Sequence, residues 1–178
     1  YNTLKMKQIP GFNIGYADKY DTIFYISNGI IPKRAEGFNW RGIVPGDTKK
    51  TLWTDYYDIE DLPQVIQPKA GFIYDANHSP IKSTSAEENP KEEDYSERMG
   101  YETYDNNRST RLRELIESYD KLSYEDFKDI KYDNSFPSKF SYNFMDISII
   151  ETLNLDSEDE LFEILDIIQK WDRKTDID

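Results

Sequence analysis

Two residues of this chain have types and settings that could do chemistry. Asn77 follows the run Gly71-Phe72-Ile73-Tyr74-Asp75-Ala76 and precedes His78-Ser79-Pro80, and Arg108 opens Arg108-Ser109-Thr110-Arg111-Leu112. An amide at the end of an apolar strand can donate its N–H to an oxyanion developing on a carbonyl. An arginine in a first helical turn can hold such an amide in place. Each also has a plainer reading. An asparagine before His-Ser-Pro is most often a turn residue bonded to its own backbone. An arginine at a helix start usually makes a surface ion pair of little energetic weight.

Other constellations are thinner. His78 is the only histidine, and one imidazole does not build a metal site. A His78–Ser79 dyad has poor geometry, because neighbouring side chains of an extended segment point apart. No Gly-x-Ser-x-Gly elbow surrounds Ser79. Asp55, Asp58, Glu60 and Asp61 could be imagined as a glycosidase pair. With 35 acidic residues in the chain, such clusters arise by chance. Glu87, Glu88, Glu92, Glu93 and Asp94 read as a solvated loop, since the ligand spacing of a calcium loop is absent. There is no Gly-rich phosphate loop, and the residues themselves call for no metal or cofactor.

The elements that must position Asn77 and Arg108 divide the chain. Residues 1–80 read as mostly β and loop, 81–106 as an acidic loop, and 107–178 as helical, together one partial domain over 1–178. Phe12 to Asp18 and Thr22 to Ser27 form two short strands around a polar tetrapeptide, an antiparallel hairpin. Residues 33–69 are mostly loop, punctuated by Pro45-Gly46, Leu62-Pro63 and Gln67-Pro68, and Trp40 and Trp53 should pin it to a sheet or a partner. A third strand is expected from Gly71 to Asp75. A helix begins at Asn107, with Leu112, Leu115, Ile116 and Tyr119 at helical spacing. Ser123-Tyr124-Glu125-Asp126 looks like a capping box for a second helix through Ile130. A third is expected over Lys139 to Leu153. A fourth should start at Ser157-Glu158-Asp159-Glu160 and bury Leu161, Ile164, Leu165, Ile168 and Trp171. Antiparallel strands in the N-terminal half and helices in the C-terminal half make the class α+β.

Composition removes several classes of partner. The formal net charge is −13, which disfavours nucleic acid and anionic membrane surfaces. No apolar run approaches the roughly 20 residues of a membrane span. With no cysteine, disulfides, thiolate nucleophiles and Cys-ligated zinc are excluded. Aromatics at 15% supply enough area for a packed core. The chain starts at Tyr1 rather than Met, so a processed chain or an excised piece is expected.

Taken in order, the segments resemble the middle of the β subunit of the penicillin acylase family. Asn13-Ile14-Gly15-Tyr16-Ala17-Asp18 with Ile23-Phe24-Tyr25 is similar to its first hairpin, and Gly29-Ile30-Ile31-Pro32-Lys33-Arg34 to the turn that follows. Trp53, Leu62-Pro63-Gln64-Val65, Gln67-Pro68 and Gly71-Phe72-Ile73 fall in the family's order. Ala76-Asn77-His78-Ser79-Pro80 resembles its "x-N-N-x-P" and Arg108-Ser109-Thr110-Arg111-Leu112 its "R-x-x-R-I". Leu122 to Asp126, Tyr132 to Ser135 and Trp171-Asp172 complete a match over nearly the whole chain.

The resemblance implies an N-terminal-nucleophile hydrolase with an αββα fold, of which this chain is a fragment. In that family an N-terminal Ser or Thr, freed by self-cleavage, attacks an amide carbonyl, and its own α-amino group acts as base. By that likeness Asn77 is the oxyanion donor, Arg108 orients it, and Phe12 lies in the acyl-binding pocket, although Phe12 also reads as plain core packing. The nucleophile would lie upstream of Tyr1, so the fragment alone should be catalytically silent. The implied substrate is an N-acylated small molecule of β-lactam, acyl-homoserine lactone or lipopeptide type. The implied partners are the remaining α and β segments of the same precursor. A periplasmic or secreted location and a structural calcium in the full-length enzyme come from the same source. Ala76 stands where some relatives carry tryptophan, and the stretch from Asn77 to Arg108 is longer and more acidic than in the shorter members. Two alternatives stay open: a non-catalytic binding module on the same scaffold, and an unrelated surface domain whose aromatics bind glycans or peptides.

Overall fold

The computed structural model describes residues 1–142, 145–146 and 148–175. The chain forms two compact units, 1–104 and 105–178. The first begins with a single helical turn, α1 (Asn2–Lys5), followed by strands β1 (Phe12–Ala17), β2 (Ile23–Asn28) and β3 (Gln64–Ile66). The strands make one antiparallel sheet in the order β1-β2-β3, with Gly15 opposite Tyr25 and Tyr25 opposite Val65. The expected hairpin is present. Its turn is closed by the Asp18 carboxylate, which accepts the backbone N–H groups of Tyr20 and Thr22 at 2.8 and 3.1 Å. Those two bonds hold the Asp18 carboxyl below its usual pKa. Asp21 takes the left-handed conformation the turn requires, at φ 59°.

β2 is central and covered on both faces. Ile26, fully buried, packs with Leu4 and Ile59 on one face, with Ile14 and Phe24 beside them. Tyr25, 2% exposed, faces the other way. Ile73 lies over Gly15 on the Tyr25 face: a Cβ at Gly15 would stand 3.5 Å from the Ile73 methyl. Burial pushes the Tyr25 phenol far above its usual pKa, with the Asp75 and Tyr101 charges adding to it. Burial likewise pushes Tyr101 up to about 12.

The expected strand from Gly71 to Asp75 does not form. The sheet is limited to β1-β2-β3, and this apolar segment packs on its Tyr25 face, with Ile73 over Gly15, instead of adding a strand. Its backbone is satisfied locally. The Tyr74 N–H donates to the Ser83 carbonyl at 2.9 Å, and the Thr84 hydroxyl donates to the Phe72 carbonyl at 2.8 Å. Residues 33–69, expected as mostly loop, contain the third strand β3. Before it the chain makes an excursion between Ile31 and Tyr57 whose ends re-pair, since Lys33 N–H donates to the Asp55 carbonyl and Tyr57 N–H to that of Ile31. Trp40 ties the loop to itself through Nε1–H to the Ala35 carbonyl at 2.8 Å. Trp53 is 52% exposed, with the Arg34 guanidinium above its ring.

The second unit contains α2 (Asn107–Glu117), α3 (Tyr124–Lys131), a two-residue ladder of β4 (Ser141–Tyr142) with β5 (Met145–Asp146), and α4 (Phe162–Lys170). α2 and α3 both open on reciprocal capping boxes, Asn106 with Ser109 and Ser123 with Asp126, which satisfy orphan N–H groups of the first turn. The chain ends on a small aromatic cluster. Phe136 meets the rings of Phe140 and Trp171 edge-on at 4.7 and 5.0 Å.

Two helix expectations are corrected here. The helix over Lys139 to Leu153 is replaced by the β4–β5 ladder and a 3-10 turn at Ser148–Thr152. Residues 143, 144 and 147 of that stretch lie outside the described residues. The cause sits at Ser141, whose N–H and C=O are both taken by the Asn107 side chain, at 3.0 and 2.7 Å. A helix there would need those groups. The last helix starts at Phe162, not at Ser157. Asp159 donates its N–H to the Asp156 carbonyl and accepts the Leu161 N–H on its carboxylate. Local side-chain bonds of this kind hold a turn in place of the first helical turn. Of the expected apolar face Leu165 is buried, while Leu161 and Ile164 are 58% and 55% exposed.

Candidate functional site

Asn77 sits at the crest of a turn with φ 54°. A non-glycine residue pays a steric penalty in this region, and asparagine tolerates it best. The turn is built from its shoulders. Ala76, His78 and Ser79 are buried, at 8%, 6% and 0% exposure, while Asn77 is exposed. The His78 imidazole works inside the turn. Its Nδ1 accepts the Ala76 N–H at 3.2 Å, and its Nε2 lies 2.6 Å from the Lys82 carbonyl. That pattern requires the proton on Nε2. The ring stacks on Tyr74 at 4.9 Å. Ser79 is occupied too, its hydroxyl donating to the Glu102 carbonyl. The only histidine and its neighbouring serine are therefore structural supports for the turn, and neither is presented as a nucleophile or base.

Asp75 completes the turn. Its Oδ1 accepts the Asn77 N–H at 2.9 Å, lies 3.4 Å from the Asn13 Nδ2 donor on β1, and lies 3.9 Å from His78 Nδ1. The spacing Asp-x-Asn is the sequence signal of this arrangement, because a short carboxylate readily accepts the N–H two residues on. Reading the strand by apolar pattern alone passes over it.

Phe12 is in the same unit, at the first position of β1, and is 63% exposed. Strand alternation groups it with Ile14, on the face opposite Gly15 and Ile73. The Asn13–Asp75 contact draws the Asn77 turn to the same end of β1. No side chain of the Asn77 turn lines the 420 Å³ cleft of this unit, which is walled by Phe38, Trp40, Arg41, Tyr95, Arg98 and Tyr101 among others.

Arg108 belongs to the second unit. It is the second residue of α2, exposed, and lines a hollow of about 200 Å³ with Asn107, Asp133, Ser135 and Phe136. Its position follows from the Asn106–Ser109 cap. Ser109 is fully buried and donates its hydroxyl to Asp105 at 3.2 Å. One turn further on, Arg111 grips Asp133 through two bonds, Nε at 2.9 Å and Nη2 at 2.8 Å. The Arg111 hydrogen bonds hold the Asp133 carboxyl below its usual pKa, and Asp133 in turn raises that of Arg111. This planar pair escaped the sequence reading, because nothing local joins residues so far apart in the chain. Among the described residues no group of three or more His, Asp or Glu is placed to hold a metal ion, and no helix is long and apolar enough to cross a membrane.

Antiparallel strands followed by helices, with an exposed asparagine on a braced turn in the first unit and a capped arginine helix in the second, define an α+β chain. The fold is similar to that of the thermostable penicillin G acylase from Alcaligenes faecalis, at a TM-score of 0.66 and 19% identity over 97% of this chain and 29% of that one. The chain is also 26% identical to the penicillin G acylase of Escherichia coli over 166 residues, which is 93% of this chain and 18% of that protein. The family model for penicillin amidase matches residues 2–178, and the chain belongs to that family. It is thus a member of a hydrolase family of amidase type, and it spans about a fifth of the length of the curated relative it matches.

Proposed function

We propose that this chain is the part of an N-terminal-nucleophile acylase that stabilises the oxyanion. The reaction is hydrolysis of the amide bond of an N-acylated small molecule. A Ser or Thr hydroxyl from another segment of the same precursor attacks the carbonyl and passes its proton to its own α-amino group. The Asn77 carboxamide N–H meets the negative charge on the carbonyl oxygen. Arg108 takes the orienting role that the family likeness gives it, toward the polar end of the substrate. Phe12, uncovered in this chain, contributes apolar surface to the acyl pocket. The amine leaves with a proton, and water releases the acyl group from the nucleophile. The observation that carries this reading is Asn77 itself: it is exposed at φ 54° between two buried neighbours.

The remaining α and β segments are the partners of this chain, which is silent without them. β-Lactam, acyl-homoserine lactone and lipopeptide substrates share the required N-acyl group. The location that goes with this reading is periplasmic or secreted. Any structural calcium would draw most of its ligands from those other segments. The test is turnover by the full-length processed protein carrying Asn77→Gly, which tolerates the positive φ but lacks the carboxamide. A fall in kcat of roughly 10²–10³ is expected for loss of one oxyanion donor. A near-normal kcat would reject the role and leave a binding module on the same scaffold.

A further inference from the structure

We infer that Asp75 is a positioning residue for catalysis, acting through Asn77; the inference rests on the acylase reading above. A carboxamide on a left-handed residue is only as well aimed as the backbone that bears it. An L-residue relaxes readily from positive φ toward the extended region, and that rotation turns the side chain away from its former direction. Three hydrogen bonds brace this turn from below: the His78 ring accepts the Ala76 N–H and donates to the Lys82 carbonyl, and the Ser79 hydroxyl donates to the Glu102 carbonyl. All of them act on neighbours of Asn77. The Asp75 carboxylate accepts the N–H of Asn77 itself, at 2.9 Å. The same oxygen lies 3.4 Å from Asn13 Nδ2 on β1. The same oxygen thereby ties the backbone of Asn77 to β1. Rigid support of this kind is what a preorganised oxyanion donor needs.

The group is suited to the task by its type. An acceptor with a short side chain reaches the N–H two residues on, whereas alanine offers no acceptor and leucine offers bulk without one. Asparagine keeps the carbonyl oxygen and so keeps the brace.

The experiment uses the full-length processed protein and the N-acyl para-nitroanilide it turns over fastest. Asp75→Ala should lower kcat about 10-fold with KM within about 2-fold, the signature of an interaction that matters in the transition state. Asp75→Asn should stay within about 3-fold of the parent, because the acceptor is retained. Combining Asp75→Ala with Asn77→Gly should be no slower than Asn77→Gly alone, since a residue that acts only through another adds nothing once that one is gone. Asp75→Leu, which fills the site without an acceptor, takes the place of the alanine variant if that one does not fold. A parental kcat in Asp75→Ala or Asp75→Leu, alongside a large loss in Asn77→Gly, overturns this inference and leaves the acylase reading standing. A parental kcat in Asn77→Gly overturns both. Equal losses in Asp75→Ala and Asp75→Asn that track a lowered Tm reduce Asp75 to a structural residue.

Discussion

Asn77 in the first unit and Arg108 in the second are held by different kinds of contact. The helix turn that carries Arg108 is set by a cap on either side of it: Asn106 and Ser109 exchange hydrogen bonds at 2.9 and 3.0 Å, and the helix follows. Asn77 owes its place to a ring buried under it, to a carboxylate that reaches back to β1, and to a segment that packs on a sheet face. The first arrangement is local and would survive in a peptide context to some degree. The second exists only when the sheet exists. A residue held locally should tolerate damage elsewhere, and a residue held by tertiary contacts should fail with them.

The sharpest break of this comparison is the loss of the carboxamide. Asn77→Gly should cost about 3–4 kcal/mol of transition-state stabilisation with the fold intact, measured as kcat and Tm on one sample. Asn77→Ala should lose as much activity and in addition about 1–2 kcal/mol of stability, because alanine strains at positive φ. Equal stability of the two variants would show that the turn is free to relax.

Next in size is Arg108→Ala, for which kcat should fall about 10-fold, or about 1.4 kcal/mol, while Tm holds. A fall in Tm of several degrees would mean that Arg108 braces the helix instead of facing substrate.

The Arg111–Asp133 pair supplies the contrast within the second unit. Both side chains are mostly buried, at 27% and 17% exposure, so Asp133→Asn should destabilise by about 1–2 kcal/mol at neutral pH. The Asp133 pKa is lower folded than unfolded. Its contribution is therefore complete above the ordinary carboxylate range and lost as the pH falls through the folded value. Urea melts of parent and variant should differ near pH 7 and converge in acid. A difference that persists in acid would sink the assignment to the ionised pair.

The smallest effect at neutral pH belongs to the first unit. Tyr25 and Tyr101 have phenol pKa values raised by burial. A raised value gives stability that is whole below pH about 10 and lost above it, when the unfolded phenols ionise first. Tyr101→Phe should flatten that alkaline decline in a pH series of thermal melts, and a slope identical to the parent's would place the loss elsewhere.

How much of this was legible follows the same division. The hairpin over Phe12–Asn28 and the starts of α2 and α3 were readable, because turn residues and capping boxes act within a few positions. Gly71 to Asp75 reads differently in the fold: its apolar run suits a strand, but packing against a sheet face, where Ile73 lies over Gly15, calls for the same apolar residues. Ser141 misled the reading, because the Asn107 amide that claims its backbone lies far off in sequence. Ser157-Glu158-Asp159-Glu160 looked like a helix start. The Asp156 and Asp159 groups close turns there instead, and α4 waits until Phe162. Asn77 and Arg108 were legible as candidates by residue type and by family resemblance. The Asp75 brace and the Arg111–Asp133 pair were not, since hydrogen bonds between distant or non-periodic positions leave no pattern to read.

The sequence by itself determined the α+β class, the capped helices, the absence of any thiol chemistry and the penicillin acylase likeness, because these depend on composition, short-range capping and ordered motifs. Only the tertiary structure decided that the Asn77 segment crosses a sheet face, that His78 and Ser79 are consumed in supporting it, and that one carboxylate oxygen ties Asn77 to β1. A conformation at positive φ is stable only when several contacts from elsewhere hold it. Those contacts come into being when the chain folds.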